Sequence, residues 1–139
     1  MPDRDLYVLD TNTCSYVIKG TYPRLRQRLR RLPLSRVCIS VITQAELLFG
    51  LARRPEATAL REAVFSFFEH LSIRTWESGA ARCYAHIRAD LERRGLPMGN
   101  MDMFIAAHAV ALDAVLVTND AVFKNVDHLR REDWTRARR

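Results

Sequence analysis

Three short apolar runs constrain this chain more than any other feature: LYVL at 6–9, VCISVI at 37–42 and AVLV at 114–117. None alternates apolar with polar residues, as a strand with one wet face would, so each is expected to be buried on both faces. Between them lie segments with apolar residues at steps of three and four. Strands alternating with amphipathic helices predict an α/β domain with a mostly parallel sheet covered on both sides. A fourth strand is expected at SIRTW, 72–76, and a last short segment around 126–134.

The helices follow from the same periodicity. Asn12 or Thr13 is expected to cap a short helix through Tyr16, Val17 and Ile18. RLRQRLRRL places Leu25, Leu29 and Leu32 on one face and Arg24, Arg26, Arg28, Arg30 and Arg31 around them, an amphipathic helix with a cationic exterior. TQAELLFGLA reads as a helix from Thr43, and Pro55 as the opening of one carrying Ala57, Leu60, Val64, Phe67, Phe68 and Leu71 inward. Phe65 lies off that stripe. A helix from about 78 to 94 should bury Ala81, Tyr84, Ile87 and Leu91 before Gly95 and Pro97 break it, and MDMFIAAHAVAL at 101–112 is a nearly apolar helix.

With 139 residues, 48% of them hydrophobic, one domain spanning 1–139 can bury its own core. The three cysteines, Cys14, Cys38 and Cys83, form no metal-binding or disulfide spacing, which suits a reduced cytoplasm. No run approaches the ~20 apolar residues of a membrane span. Lys and Arg number 22 against 16 Asp and Glu, a formal charge of +6, and all the cations but Lys19 and Lys124 are arginine. Such a surface attracts polyanions, RNA among them. Arg24 to Arg31 and the tail residues Arg136, Arg138 and Arg139 are the candidates for phosphate contacts, with a solvated helix face or a protein partner as the alternatives.

Acids stand where ligands bind parallel sheets, beyond the carboxyl ends of the strands. Asp10 ends the first strand and Asp120 follows the strand AVLV at 114–117. The helix at 101–112 runs back toward the same rim with Asp102 at its start, and Glu46 lies early in the helix after the second strand. Each acid has a structural alternative: Thr43 and Glu46 have capping-box spacing, Asp102 suits a helix dipole, Asp10 and Asp120 suit turns. Together, four carboxylates at one rim repel one another unless a cation or protons intervene, and hard oxygen ligands select Mg²⁺ or Mn²⁺.

VLDTN, TQAELLFG, GNMDMFIAAHA and LVTND resemble, in order and spacing, the four acidic motifs of PIN-domain ribonucleases, especially the VapC toxins of bacterial toxin-antitoxin pairs. The resemblance runs from residue 6 to EDW at 132–134. It implies a PIN-like three-layer sandwich and divalent-metal-dependent endonucleolytic cleavage of RNA such as tRNA or rRNA. It further implies Asp10 and Asp102 as the innermost metal ligands, with Glu46 binding directly or through water. Asp120 would complete the site, with Asn12 and Thr118 as supporting polar groups. A cognate antitoxin, a homodimer and a toxin-antitoxin hetero-oligomer are the implied partners. Two rivals remain. A haloacid-dehalogenase-like phosphatase needs a second Asp where Asn12 stands, and a non-catalytic PIN-like module would bind RNA or protein without cutting. His108, about 240° around its helix from Asp102, is expected to be a packing residue, and Cys14 a buried thiol.

Overall fold

The computed structural model describes residues 4–137. Its strands are β1 (Tyr7–Leu9), β2 (Val37–Ser40), β3 (Ser72–Arg74), β4 (Val115–Val117) and β5 (Arg130–Glu132). The helices are α1 (Thr11–Lys19), α2 (Pro23–Arg30), α3 (Val41–Ala52), α4 (Thr58–Glu69), α5 (Ser78–Arg93) and α6 (Asn100–Ala111). All strand pairs are parallel, in the order β3-β2-β1-β4-β5, with Tyr7 opposite both Val37 and Val115. Connections leave β1 to one side and return on the other, so β1 is the switch point of the sheet, and its carboxyl end opens the crevice where ligands bind.

Successive strand residues face opposite layers. Val8, Cys38 and Leu116 pack against Ile87, Leu91 and the α6 residues Ile105, Ala106 and Ala109. Tyr7, Leu9, Val37, Ile39, Val115 and Val117 pack the other way, against Cys14, Val17, Leu25 and Trp134. This is the three-layer arrangement expected from doubly buried strands. The alanines of α6 leave little volume between helix and sheet, so it is buried almost all round, with Ala106, Ala107 and Ala109 at 0% exposure. No helix among the described residues is long and apolar enough to cross a membrane.

Several boundaries move. Asp10, not Asn12 or Thr13, caps α1, accepting from Thr13 N at 2.8 Å. Helix α3 begins at Val41 rather than Thr43, because Ser40 caps it by accepting from Ile42 N at 3.1 Å. Pro55 sits in a turn, and α4 starts only at Thr58, after Ala57 departs from helical torsions. Ala80, not Ala81, is the buried alanine of α5. The charged RRE segment forms β5, a fifth strand not counted from the sequence; its cations hold a solvent-facing sheet edge. Gly20 ends α1 at φ 70°, and Arg26 closes that end by donating to the carbonyls of Val17 (2.9 Å) and Ile18 (3.2 Å).

Candidate active site

Four structural devices deliver the four acids. Asp10 extends β1 by donating its amide to the Val117 carbonyl at 3.1 Å, while its carboxylate caps α1. Asp120 caps the 3-10 turn Ala121–Asn125 through Val122 N at 3.0 Å. Asp102 lies in the first turn of α6. Glu46 lies further into α3, beyond its first turn, and the earlier start of that helix removes the capping-box explanation: Thr43 caps nothing and is fully buried.

Thr43 instead joins a hydroxyl network. Thr11 Oγ1 donates to Glu46 Oε1 at 2.6 Å and stands 3.1 Å from Thr43 Oγ1. This fixes Glu46 of α3 against the start of α1. Thr43 reads from the sequence only as a cap and Thr11 has no assigned role there, although a polar residue beside an acid, in otherwise apolar surroundings, is the available signal. Asn12, by contrast, is exposed, while Thr11 donates to Glu46 and the Thr13 amide to Asp10. Thr118 is buried, and its hydroxyl accepts from Asp120 N at 3.0 Å.

The electrostatics tie these positions together. Burial raises the Asp10 carboxyl above its usual range; the adjacent Thr118 and Thr13 hydroxyls and the Thr13 amide pull it down, and the Asp120 anion pushes it up. Asp102 is raised first by burial, then by Asp120, Glu46 and Asp10 in turn. Helix N-termini favour anions, so at Asp10 and Asp102 burial and like charge outweigh the dipole. Yet among the described residues no three acid, histidine or cysteine side chains form a ready-made metal cage. The two observations differ in reach: charge acts over many ångströms, whereas coordination needs oxygens at about 2.0–2.5 Å. The four acids therefore share a rim and an electrostatic field without being closed into a ligand set. Their chemistry fits a hard divalent ion, since every donor is oxygen and Asp102 lies where three anions favour added positive charge.

Nearby groups that tempt a catalytic reading do other work. His108 is 2% exposed and pairs its Nδ1 with Ser40 Oγ at 2.7 Å, linking α6 to the cap of α3. Burial lowers its pKa, so the ring stays neutral. Cys14 is fully buried, and burial followed by the Asp10 charge raises its thiol well above the usual range.

A doubly wound parallel sheet with acids gathered at its switch point defines an α/β protein with a candidate metal site at the carboxyl ends of its strands. The PIN domain family model matches residues 7–129, and the chain belongs to that family. The "tRNA(fMet)-specific endonuclease VapC" of Salmonella typhimurium is 37% identical over 129 residues, covering 92% of this chain and 97% of that protein. "Ribonuclease VapC2" of Rickettsia felis is 34% identical over 131 residues, covering 93% and 98%. The VapBC2 complex of Rickettsia felis, solved with a promoter DNA fragment, superposes with a TM-score of 0.86 at 33% identity over 93% of this chain and 98% of that one. Within the PIN family, this chain is one of the VapC ribonucleases.

Proposed function

We propose that the chain is the toxin of a toxin-antitoxin pair: a divalent-metal-dependent endoribonuclease of the cytoplasm, using Mg²⁺ or Mn²⁺ to hydrolyse structured RNA. The observation that carries this is the convergence of acids on Asp102, whose carboxyl is raised first by burial and then by Asp120, Glu46 and Asp10 from three other parts of the fold. The relative from Salmonella is named for tRNA(fMet), which supports tRNA as the substrate class. Residues 1–139 act as one PIN domain in this reading.

Asp10 and Asp102 would hold the ion, Glu46 would support it directly or through water, and Asp120 would complete the set. When bound, the ion supplies a water of lowered pKa and neutralises charge building on the phosphorus centre. The chain's own contribution is rigidity. Asp10 is fixed by the Thr13 amide, Glu46 by the Thr11 hydroxyl, and Asp120 by the Val122 amide. Buried Thr118, bonded to the Asp120 amide, keeps the fourth acid in register with the first. Asn12, exposed beside the rim, is placed to meet solvent or substrate.

An antitoxin protein is the partner supported by the VapBC complexes among the structural relatives. A groove of about 250 Å³ between α1, α3 and α4, lined by Thr11, Glu46, Leu47, Leu60 and Val64, suits a segment that would cover Glu46. Phe65, 45% exposed and edge-on to Phe68 at 5.9 Å, offers apolar surface to that partner or to a second copy in a homodimer.

The test is cleavage of total RNA by purified protein with Mg²⁺ or Mn²⁺, beside Asp10→Asn. Metal-dependent cuts by the wild type alone are expected. Silence from the wild type leaves a non-catalytic binding module, and equal cutting by both proteins exposes a contaminant and removes the assignment.

A further inference from the structure

The arginines of α2 do not form one cationic face. Arg26 is committed to the last carbonyls of α1, whereas Arg24, Arg28 and Arg31, at helical positions i, i+4 and i+7, share another stripe. That stripe and Gln27 line one wall of an open pocket of about 510 Å³, whose other wall is Trp134 and Arg136 beyond β5. Chain segments a hundred residues apart thus bring four guanidinium groups around one cavity.

We propose that this pocket binds backbone phosphates of RNA. The proposal deepens the nuclease reading and rests on it for the identity of the polyanion. Three observations carry it. First, the charge is available: among the described residues Arg24 and Arg31 are exposed and enter no ion pair. Arg136 meets only Asp133 at 3.4 Å with its side chain 85% exposed, a contact that water largely screens.

Second, the pocket is built. Arg28 lies 4.6 Å over the Trp134 ring and donates to Glu132 at 3.0 Å, and the Trp134 indole donates to the same carboxylate at 3.0 Å. Glu132 therefore pins both walls and holds Arg28 in one orientation, with further guanidinium N–H groups left to meet an oxyanion. Trp134, 3% exposed, is too covered to stack a base, so the pocket reads charge rather than sequence.

Third, the pocket and the site are linked through the sheet, although Tyr7, at the amino end of β1, lines the pocket and Asp10 follows the carboxyl end of that strand. The Glu132 carbonyl accepts from Thr118 N at 2.9 Å, and Thr118 lies against Asp10 and bonds Asp120. In this proposal an RNA presents one phosphate to the acids and others to the arginines of the α2 face. A rim of four carboxylates repels a polyanion, and flanking cations of this kind offset that repulsion. Unpaired arginine charge on a chain whose relatives are ribonucleases favours RNA over an acidic protein segment.

The experiment compares Arg24→Gln/Arg31→Gln with the parent, both in the Asp10→Asn background so that RNA stays intact, binding bulk tRNA and fluorescent polyglutamate across a salt series. Expected for tRNA is about tenfold weaker binding near physiological salt, with the log–log salt slope shallower by roughly 1.4 to 1.8 for two lost phosphate contacts. Gln27→Lys, which adds a cation to the same stripe, should tighten tRNA binding and steepen the slope. With Asp10 restored, the double variant should cleave with raised KM and unchanged kcat. Unaltered tRNA affinity and slope overturn the proposal, as does a loss confined to polyglutamate, which gives the pocket to an acidic protein segment. If the tRNA effect appears but the Asp10-containing protein never cleaves RNA, the pocket stands and the nuclease reading fails.

Discussion

Asp102 shows most directly what the acids do to one another. Its carboxyl is raised by burial and by three neighbouring anions, so the folded chain holds that proton more tightly than the unfolded chain does. A raised carboxyl contributes stability that falls as pH rises from its ordinary value of 3.8 through the higher folded value. In metal-free buffer at neutral pH, Asp102→Asn is therefore expected to melt above the wild type, by on the order of 1 kcal/mol. The gap should narrow on acidification, and RNA cleavage should be lost. A lower melting temperature would make the acid a structural group. Thr11 makes a second residue-scale prediction. Thr11→Val removes the hydroxyl that meets Glu46 and Thr43, and cleavage should fall about tenfold with stability changed by roughly 1 kcal/mol, while Thr11→Ser keeps both. The readout is kcat/KM beside a thermal melt. Asp10 was legible in the sequence because an acid ending an apolar strand is anomalous. The Thr11 hydroxyl and its contact with Thr43 were not, because a hydroxyl has no meaning until the fold supplies its partner.

At the scale of elements, Ser40 joins two helices to one strand end. It closes β2, caps α3 through Ile42 N and meets His108 of α6, so it sets where the helix carrying Glu46 begins. Ser40→Ala should cost about 1 kcal/mol, seen as a lower urea midpoint with an unchanged slope, and should slow cleavage by shifting Glu46. His108 titrates with the opposite sign to Asp102. Its folded pKa lies below the ordinary 6.5, so its contribution is present above that value and is lost as pH falls from 6.5 through the folded value. A pH series of melts should show this loss in the wild type and its absence in His108→Gln; parallel curves would mean the ring stays hydrated and chargeable. The elements themselves divide by legibility. Buried strands and α6 announced themselves by apolar runs. Strand β5 did not, because RRE carries no core signal and is a strand only through its pairing with β4. The starts of α3 and α4 were misjudged for a related reason: Ser40 and Ala57 act through backbone torsion and a local cap, which weak propensities do not resolve.

Across the whole molecule, the parallel order β3-β2-β1-β4-β5 makes the acids neighbours, since β1 lies between β2 and β4 and all carboxyl ends face one way. Cation binding should consequently act on global stability. Saturating Mg²⁺ or Mn²⁺, at about 100 times its Kd, is expected to add roughly 2.7 kcal/mol to the wild type and little to Asp10→Asn. Equal shifts in the two proteins, followed by thermal melts, would place the ion elsewhere. The amino-acid sequence determined the fold class, the two-faced burial of the strands and the identities of Asp10, Glu46, Asp102 and Asp120 as candidates, because periodicity and charge are local properties carried by each segment. The tertiary structure alone decided that Thr11 holds Glu46, that His108 belongs to a helix cap, and that Arg24, Arg28 and Arg31 share a pocket with Arg136 while Arg26 does not. Arg138 and Arg139 lie outside the described residues. Those pairings join segments far apart along the chain, and only the packing of one layer on another brings them within the range of a hydrogen bond.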